Sequence, residues 1–250
     1  MVATLGRRLA PYVPRTARAQ LNQLPRRWKR FKRAPRRIWD RRYRRTYRSS
    51  TARVPSRQEI PPLLNARGLV GTAAEVGVKV ANYSDSFLAG WRGQRLISID
   101  PWLAADSDEY VDRANVSQAR HDEFYEAARE RLDKYGSRSE IWRVTSIEGA
   151  QRIEEHSLDC VFLDARHDYE SVKEDLEAWI GTLKPGGIFA GHDYADGEYL
   201  QGVFGVKSAV DEFFARRGIS VHVTKRPDPL FPSWIVEIPP AVTGPNRSTG

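Results

Sequence analysis

Two apolar segments in the second half of the chain are each followed by acidic and imidazole side chains. The segments are 158–163 and 187–191, and a helical pattern over 169–183 separates them. The side chains that follow the segments are Asp164, His167, His192 and Asp193. Strand, helix and strand in this order predict parallel neighbours, whose carboxyl ends meet at the edge of an open α/β sheet where ligands bind. We therefore expect these four side chains, which can exchange protons or bind a cation, to lie together.

Two further acids end strand-like segments in the first half of the chain. Glu75 stands two residues before Gly77 in the segment 70–78, and Asp100 ends the segment 95–100. A glutamate before the turn would repel a phosphate, so it suits a cationic ligand: an amino group, a sulfonium or a metal. An acid in the position of Asp100 accepts hydrogen bonds from two ribose hydroxyls. The alternative is an aspartate that caps its own turn.

The elements that must position these residues alternate between strand and helix patterns from residue 60 onwards. Strand patterns occupy 70–78, 95–100, 141–144, 158–164 and 187–194, and helix patterns occupy 83–91, 117–135, 169–183 and 205–217. Two more strand patterns, at 220–224 and 234–238, predict a closing antiparallel pair. This alternation predicts βαβ units, and hence an α/β fold with a mostly parallel sheet. The segment 195–205 is expected to be a loop beside the site, either a lid or a surface connection.

Charge is unevenly distributed along the 250 residues, whose formal net charge is +8. Residues 1–58 hold 19 Lys/Arg against the single acid Asp40, which leaves the remainder with a net charge of −10. This basic arm is predicted to be partly disordered or to form a cationic helix with Trp39, Tyr43 and Tyr47 on one face. Aromatics in helical register favour an anionic membrane surface as the partner of the arm, and nucleic acid is the alternative.

The composition divides the chain into the arm over 1–58, a domain over 59–240 and a loose tail over 241–250. Cys160 is the single cysteine, which excludes a disulfide within the chain and fits a reducing compartment. No segment reaches the roughly 18 apolar residues of a membrane-spanning helix, and the N-terminus lacks the apolar run of a secretory signal. The predicted location is the cytoplasm, peripheral to the membrane if the arm binds lipid.

Four motifs together resemble those of class I S-adenosylmethionine-dependent methyltransferases. They are Glu75-x-Gly77, Asp100-Pro101-Trp102, Phe162-Leu-Asp164-Ala-Arg-His167-Asp-Tyr169 and Lys184-Pro-Gly-Gly…His192-Asp193-Tyr194. The resemblance covers residues 60–240 and is to the small-molecule branch that includes metal-dependent sugar O-methyltransferases, the methyltransferase family 24 type. It implies a Rossmann-like, seven-stranded, mostly parallel sheet with helices on both faces. Ala81 departs from the pattern, which usually has a glycine there.

The same resemblance implies contacts with the cofactor, S-adenosylmethionine. Glu75 and Gly77 would border its methionine part, and Asp100 would hold its ribose. Ser146, which follows the third strand, would lie near the adenine. The alternative for Ser146 is an N-cap of the helix that follows it.

In the resembled sugar methyltransferases, acids at the ends of the fourth and fifth strands bind a divalent metal that grips the acceptor. By that resemblance Asp164, His192 and Asp193 are candidate ligands of Mg²⁺ or Mn²⁺, although the family often has a second acid at the position of His192. The alternative is that these acids cap helices or line a wet cleft. His167 is the candidate general base, with Asp164 as the second catalytic residue, because methylation of an alcohol requires removal of a proton. Otherwise His167 shapes its turn.

The sequence thus predicts an enzyme that transfers a methyl group from S-adenosylmethionine to an oxygen of a small molecule, sugar or glycan. An RNA methyltransferase with the arm as a clamp is one alternative, and the −10 charge of the remainder of the chain speaks against it. A non-catalytic, surface-bound scaffold of the same fold is the other alternative. The sequence defines neither the acceptor nor the oligomeric state.

Overall fold

The computed structural model describes residues 54–105, 115–226 and 230–239. The predictions for the arm up to residue 53 and for the tail over 241–250 lie outside these residues. Val54, which the sequence analysis placed in the arm, is buried among the apolar side chains of the domain. The packed domain therefore begins before residue 59.

The described residues contain nine strands. They are β1 (Thr72–Val76), β2 (Arg95–Ile99), β3 (Ser139–Trp142), β4 (Leu158–Leu163), β5 (Leu183–Gly191), β6 (Asp196–Tyr199), β7 (Gly202–Gly205), β8 (His222–Val223) and β9 (Trp234–Glu237). Seven of them form one sheet in the order β3-β2-β1-β4-β5-β9-β8. Strands β1 to β5 run parallel, whereas β9 pairs antiparallel with both β5 and β8. The predicted Rossmann-like, mostly parallel, seven-stranded sheet is confirmed.

The helices of the described residues cover both faces of this sheet. They are α1 (Ile60–Ala66), α2 (Asn82–Gly90), α3 (Gln118–Leu132), α4 (Ser146–Gln151), α5 (Tyr169–Ile180) and α6 (Val206–Ala215), with 3₁₀ turns at Arg57–Glu59 and Asp133–Arg138. Because side chains alternate along a strand, Val161 joins an apolar cluster with Trp179 of α5, and Phe162 joins another with Phe87 of α2. None of the helices in the described residues combines the length and apolar composition needed to cross a membrane.

Most element ends differ from the predictions by a few residues, and one predicted loop contains strands. Helix α5 ends at Ile180 instead of residue 183, because Leu183 already pairs with Leu158 as the first residue of β5. The segment 195–205, expected to be a loop, contains the antiparallel hairpin β6–β7, closed by the pair Tyr199 and Gly202.

The order of the strands reverses between β1 and β4. From β1 the chain passes outward to β2 and β3, and it then returns to β4 and β5 on the other side. In open α/β sheets the crevice at the carboxyl ends of such strands holds ligands. Both Gly77 and Asp164 stand at this reversal point, directly after β1 and β4.

Candidate functional site

The close approach of β1 and β4 explains the glycine at position 77. A Cβ on Gly77 would lie 2.0 Å from the backbone carbonyl oxygen of Asp164, and the φ of this residue is +86°. The Asp164 N–H donates to the Val76 carbonyl oxygen at 2.7 Å, which joins the two strand ends. The packing of the site therefore requires a glycine here, independently of any contact with a cofactor.

Asp100 organises the turn that follows Gly77. Its Oδ2 accepts hydrogen bonds from the backbone N–H groups of Val78 and Lys79, both at 2.9 Å. Its Oδ1 accepts one from the N–H of Trp102 at 2.8 Å. This is the turn-capping role that the sequence left as an alternative. A carboxylate offers about four acceptor positions, so about one is left beside these three bonds, and the contact of Asp100 with a ribose stays a prediction.

The same turn holds two residues other than glycine in the left-handed conformation. The φ is +54° at Lys79 and +57° at Ala81, and each such residue costs about 1–2 kcal/mol. The Ala81 N–H donates to the Val78 carbonyl oxygen at 2.8 Å, and the Ala81 side chain is fully buried in the core. The alanine thus keeps the turn that the glycine of the resembled pattern would form.

Glu75 is a buried acid in the wall of the site. Its Oε2 has no hydrogen-bond partner among the residues that the structure describes. Burial raises the pKa of Glu75 from 4.5 to about 8, which outweighs the lowering effect of the Ser84 hydroxyl, and the nearby Asp164 carboxylate adds to the increase. Because a buried acceptor without a partner is costly, this carboxyl group is suited to a ligand that brings a positive charge and an N–H donor.

Asp193 connects the two histidines of the site. Its Oδ1 lies 2.9 Å from His192 Nδ1, and its Oδ2 lies 3.0 Å from His167 Nε2. Asp164 Oδ1 lies 3.8 Å from His192 Nδ1. Asp193 adopts a left-handed φ of +52°, which aspartate tolerates better than most residues. The structure therefore brings together the four side chains that follow the two apolar segments.

Burial and charge together set the protonation of this group. Burial alone would lower the pKa of His192, but the Asp164 and Asp193 carboxylates raise it above its ordinary value. Burial opposes the ionisation of Asp193, yet hydrogen bonds from His167 and His192 hold its pKa below the usual range. Burial raises the pKa of Asp164. At neutral pH the arrangement favours an ionised Asp193 between the two imidazole rings.

Phe204 in β7, which the sequence placed only in the possible lid over 195–205, holds the His167 ring. The two rings are stacked, with centroids 4.5 Å apart and an interplanar angle of 3°. The Gly205 N–H donates to the His167 carbonyl oxygen at 2.8 Å, and Phe204 packs on Phe231 with centroids 5.3 Å apart. The β6–β7 hairpin thus fixes the orientation of the candidate base.

Arg57 is a second site residue that the sequence analysis did not select, because it was counted with the basic arm. Its Nη1 lies 3.2 Å from Asp164 Oδ2, and its guanidinium lies over the Tyr83 ring at 5.1 Å. The Tyr83 hydroxyl donates to the Arg57 carbonyl oxygen at 3.0 Å. Arg57 therefore places a fixed positive charge beside the carboxylate of Asp164.

These groups share one cavity of about 540 Å³. Its lining includes seven of the eight predicted site residues: Glu75, Gly77, Asp100, Asp164, His167, His192 and Asp193. Arg57 and Phe204 also line it. The acid proposed to bind a cation and the histidine proposed to act as a base thus face the same space.

Ser146, the eighth predicted residue, is not among the residues that line this cavity. Its Oγ accepts a hydrogen bond from Trp179 Nε1 at 2.9 Å. The N-cap of α4 is Thr145, which forms a capping box with Glu148. The interpretation of Ser146 as the N-cap is therefore wrong by one residue, and its contact with adenine stays a prediction.

The geometry offers a divalent metal a set of ligands that differs from the predicted one. Ligand atoms of Asp164, His167 and Asp193 all lie within 4.8 Å of one another. The predicted set contained His192 in place of His167. Carboxylate oxygens with one imidazole nitrogen suit Mn²⁺ or Fe²⁺ better than Mg²⁺. Metal binding stays a prediction, and its imidazole ligand moves to His167.

Residues 78–194 match the family model described as a methyltransferase domain. The chain is also similar to the "Uncharacterized protein y4gI" of Sinorhizobium fredii, with 27% identity over 141 residues. That match covers 56% of this chain, and the chain spans 14% of the length of this curated relative.

Solved structures share the fold at low sequence identity. The O-methyltransferase from Bacillus cereus in complex with SAH has a TM-score of 0.52 and 14% identity, over 72% of this chain and 79% of that chain. Cofactor-bound Rv0187 from MTB has a TM-score of 0.51 and 13% identity, over 93% of this chain and 100% of that chain. At these identities the likeness shows the fold, and the chemistry has to be argued from the site.

Proposed function

Since the chain carries a class I S-adenosylmethionine-dependent methyltransferase domain, we propose that it methylates an oxygen of a small molecule, a sugar or a glycan. The observation that carries this proposal is the shared cavity, because the buried Glu75 and the His167–Asp193 pair line the same space. An acid suited to the cofactor and a base suited to the acceptor are therefore close enough to act on two molecules held side by side.

Glu75 and Asp100 fit the cofactor. S-adenosylmethionine, when bound, supplies a methyl group activated by a sulfonium, and it also carries an ammonium group and a ribose. The buried Glu75 Oε2, which lacks a partner among the described residues, fits the ammonium group as a hydrogen-bond acceptor. A cation at this position would favour the ionised form of Glu75. Asp100 keeps one acceptor position for a ribose hydroxyl.

His167 is the residue that we propose takes the proton of the acceptor. In the tautomer that donates Nε2–H to Asp193, the basic lone pair of the ring lies on Nδ1. The acceptor O–H proton moves to Nδ1, which leaves the oxygen as the nucleophile. Asp193 orients the ring and stabilises the imidazolium that forms, as a buried carboxylate does in other acid–histidine pairs.

A divalent metal held by Asp164, His167 and Asp193 would activate the acceptor differently, by lowering the pKa of a bound hydroxyl. A neutral imidazole has one basic lone pair, which binds either a metal or the acceptor proton, so the two modes exclude each other. The pairing of Asp164 with Arg57 and of Asp193 with His167 favours the mode without a metal. Turnover that survives dialysis against EDTA supports this mode, and turnover that Mn²⁺ restores supports the other.

Calorimetric titration of the full chain tests the cofactor part of the proposal. We expect S-adenosylmethionine and S-adenosylhomocysteine to bind and to raise the melting temperature. Adenosine triphosphate is the control, because it carries the adenosine part of the cofactor but no ammonium group for Glu75. The absence of both heat and thermal shift, with and without Mn²⁺, would contradict the proposal.

The acceptor is tested by incubating the chain with S-adenosylmethionine that carries a labelled methyl group and with fractionated cell extract. We expect the label in the small-molecule or glycan fraction. Label in the RNA fraction would support the RNA methyltransferase instead. Intact cofactor binding without label in any fraction would support the non-catalytic scaffold.

A further inference from the structure

Arg57 enters the cavity from the segment that precedes α1, and this segment is held at several points. Val54 is buried among the apolar side chains of the domain, and the Pro55 carbonyl oxygen accepts a hydrogen bond from the Arg226 N–H at 2.9 Å. The Arg57 carbonyl oxygen accepts another from the Tyr83 hydroxyl at 3.0 Å, and the guanidinium lies over the Tyr83 ring. Contacts with the domain therefore hold both the backbone and the side chain of Arg57 in place.

The guanidinium of Arg57 lies close to the candidate base. Its Nη1 is 3.2 Å from Asp164 Oδ2, and the Arg57 side chain is only 16% exposed. An oxygen of the Asp164 carboxylate lies within 4.8 Å of a ring nitrogen of His167. A single carboxylate thus separates the guanidinium from the imidazole, and both side chains line the cavity.

A guanidinium in this place offers an acceptor oxygen the same positive charge as a bound metal would. It is always charged, and it carries five N–H donors in one plane that suit oxygen atoms. A metal bound to Asp164 would lie beside the guanidinium that contacts this carboxylate, and two neighbouring positive charges repel each other strongly where water is largely excluded. The site therefore favours either the guanidinium or a metal, and not both together.

We propose that Arg57 is a catalytic residue that takes the place of a divalent metal in this site. Its guanidinium binds the acceptor oxygen beside His167 and stabilises the negative charge that develops as the proton leaves. The proton moves to His167 Nδ1, the oxygen forms a bond to the methyl carbon, and the electron pair of the broken carbon–sulfur bond stays on the sulfur. The catalytic role rests on the proposed methyl transfer, whereas the exclusion of a metal does not.

Titration of the full chain with Mn²⁺, followed by electron paramagnetic resonance, tests the exclusion of a metal. The spectrum separates free from bound Mn²⁺ and needs neither the cofactor nor an acceptor. We expect Arg57→Gln to bind Mn²⁺ at least about tenfold more tightly than the unmodified chain. Arg57→Lys keeps the charge and should bind Mn²⁺ as weakly as the unmodified chain. Arg67→Gln is the matched control and should change nothing, since Arg67 pairs with Glu237 at 2.7 Å and does not line the cavity.

Turnover in the absence of added metal tests the catalytic role. Arg57→Gln should lower kcat about 10²–10³-fold and leave the KM for the cofactor unchanged. Mn²⁺ should restore part of the turnover of Arg57→Gln and should not increase that of the unmodified chain. Arg57→Lys should retain more turnover than Arg57→Gln, because it keeps the positive charge. Thermal unfolding checks that each variant folds.

Three results would overturn the proposal. The first is that the unmodified chain binds Mn²⁺ as tightly as Arg57→Gln does, or, if that variant does not fold, more tightly than Arg57→Lys. The second is that Arg57→Gln, without a metal, turns over at the rate of the unmodified chain. The third is that the unmodified chain loses turnover in EDTA and regains it with Mn²⁺. If the unmodified chain transfers no methyl group, the proposed function and the catalytic role of Arg57 both fail, and the Mn²⁺ titration still decides whether Arg57 excludes a metal.

Discussion

Replacing Glu75 by glutamine should stabilise the chain in the absence of the cofactor and weaken its binding of the cofactor. Burial raises the pKa of Glu75 from 4.5 to about 8. In the unfolded chain this group ionises near pH 4.5, whereas in the folded chain it stays protonated until about pH 8. Folding therefore takes up a proton between these two pH values, and the folded state loses stability as the pH rises through this window.

The magnitude follows from the distance between the working pH and the pKa in the unfolded chain. At pH 7 that distance is about 2.5 pH units, which corresponds to about 3 kcal/mol of lost stability. The variant Glu75→Gln keeps the shape of the side chain without the proton uptake. We therefore expect it to be more stable than the unmodified chain by about 3 kcal/mol at pH 7, and by far less at pH 5.

Urea unfolding at a series of pH values measures this difference. Calorimetric titration of S-adenosylmethionine in buffers of different ionisation enthalpy then counts the protons released on binding. The unmodified chain should release about one proton more than Glu75→Gln, because the cofactor ammonium group ionises Glu75. Asp175→Asn is the control: burial raises the pKa of Asp175 to about 6, and this acid does not line the large cavity, so cofactor binding should be unchanged. If the stability of the unmodified chain and of Glu75→Gln depended equally on pH, Glu75 would not be buried in its protonated form. If these two chains released equal numbers of protons on binding the cofactor, Glu75 would not contact the ammonium group.

The remaining predictions concern the base, the strand contact and the buried ion pair. His167→Gln should lower turnover about 10²–10⁴-fold and leave cofactor binding intact. His222→Gln, outside the cavity, should change neither turnover nor binding. Steady-state kinetics measures the turnover, and calorimetry measures the binding. Gly77→Ala should destabilise the chain by at least about 3 kcal/mol, since its Cβ would lie 2.0 Å from a backbone carbonyl oxygen; an unchanged urea midpoint would contradict this packing. Arg57→Gln should lower the free energy of unfolding by about 2 kcal/mol, because its ion pair is mostly buried. Arg95→Gln, whose ion pair is exposed, should lower it by under about 0.5 kcal/mol. If the two arginine variants lowered the free energy of unfolding equally, burial would not determine how much these ion pairs stabilise the chain.

The parts of the structure that follow from periodicity were predictable. The five parallel strands, and the helices α2, α3 and α5 between them, lie within a few residues of the positions that the apolar patterns predicted. The convergence of Asp164 and His192 followed from topology alone, because parallel neighbours end at one edge of a sheet. For these strands and helices the errors were confined to their ends. An example is Leu183, whose place in β5 depends on pairing with Leu158.

The arrangement of side chains within the site depended on contacts that no local pattern encodes. Arg57 reaches Asp164 across 107 residues of sequence, so its charge pattern suggested only a basic arm. The backbone N–H groups that Asp100 binds belong to a turn whose shape is set by the contact of Gly77 with Asp164, the residue after β4. Phe204 was expected only as part of a possible lid, because a four-residue strand is too short for its alternation to indicate the contact with His167.

The central claim is that one cavity binds S-adenosylmethionine through Glu75 and removes the acceptor proton through His167. Transfer of labelled methyl groups by the full chain, measured against cofactor concentration, tests it most directly. We expect Glu75→Gln to raise the KM for the cofactor and His167→Gln to lower kcat without changing that KM. Full transfer in either variant, or the loss of the same parameter in both, would contradict the division of roles within the cavity.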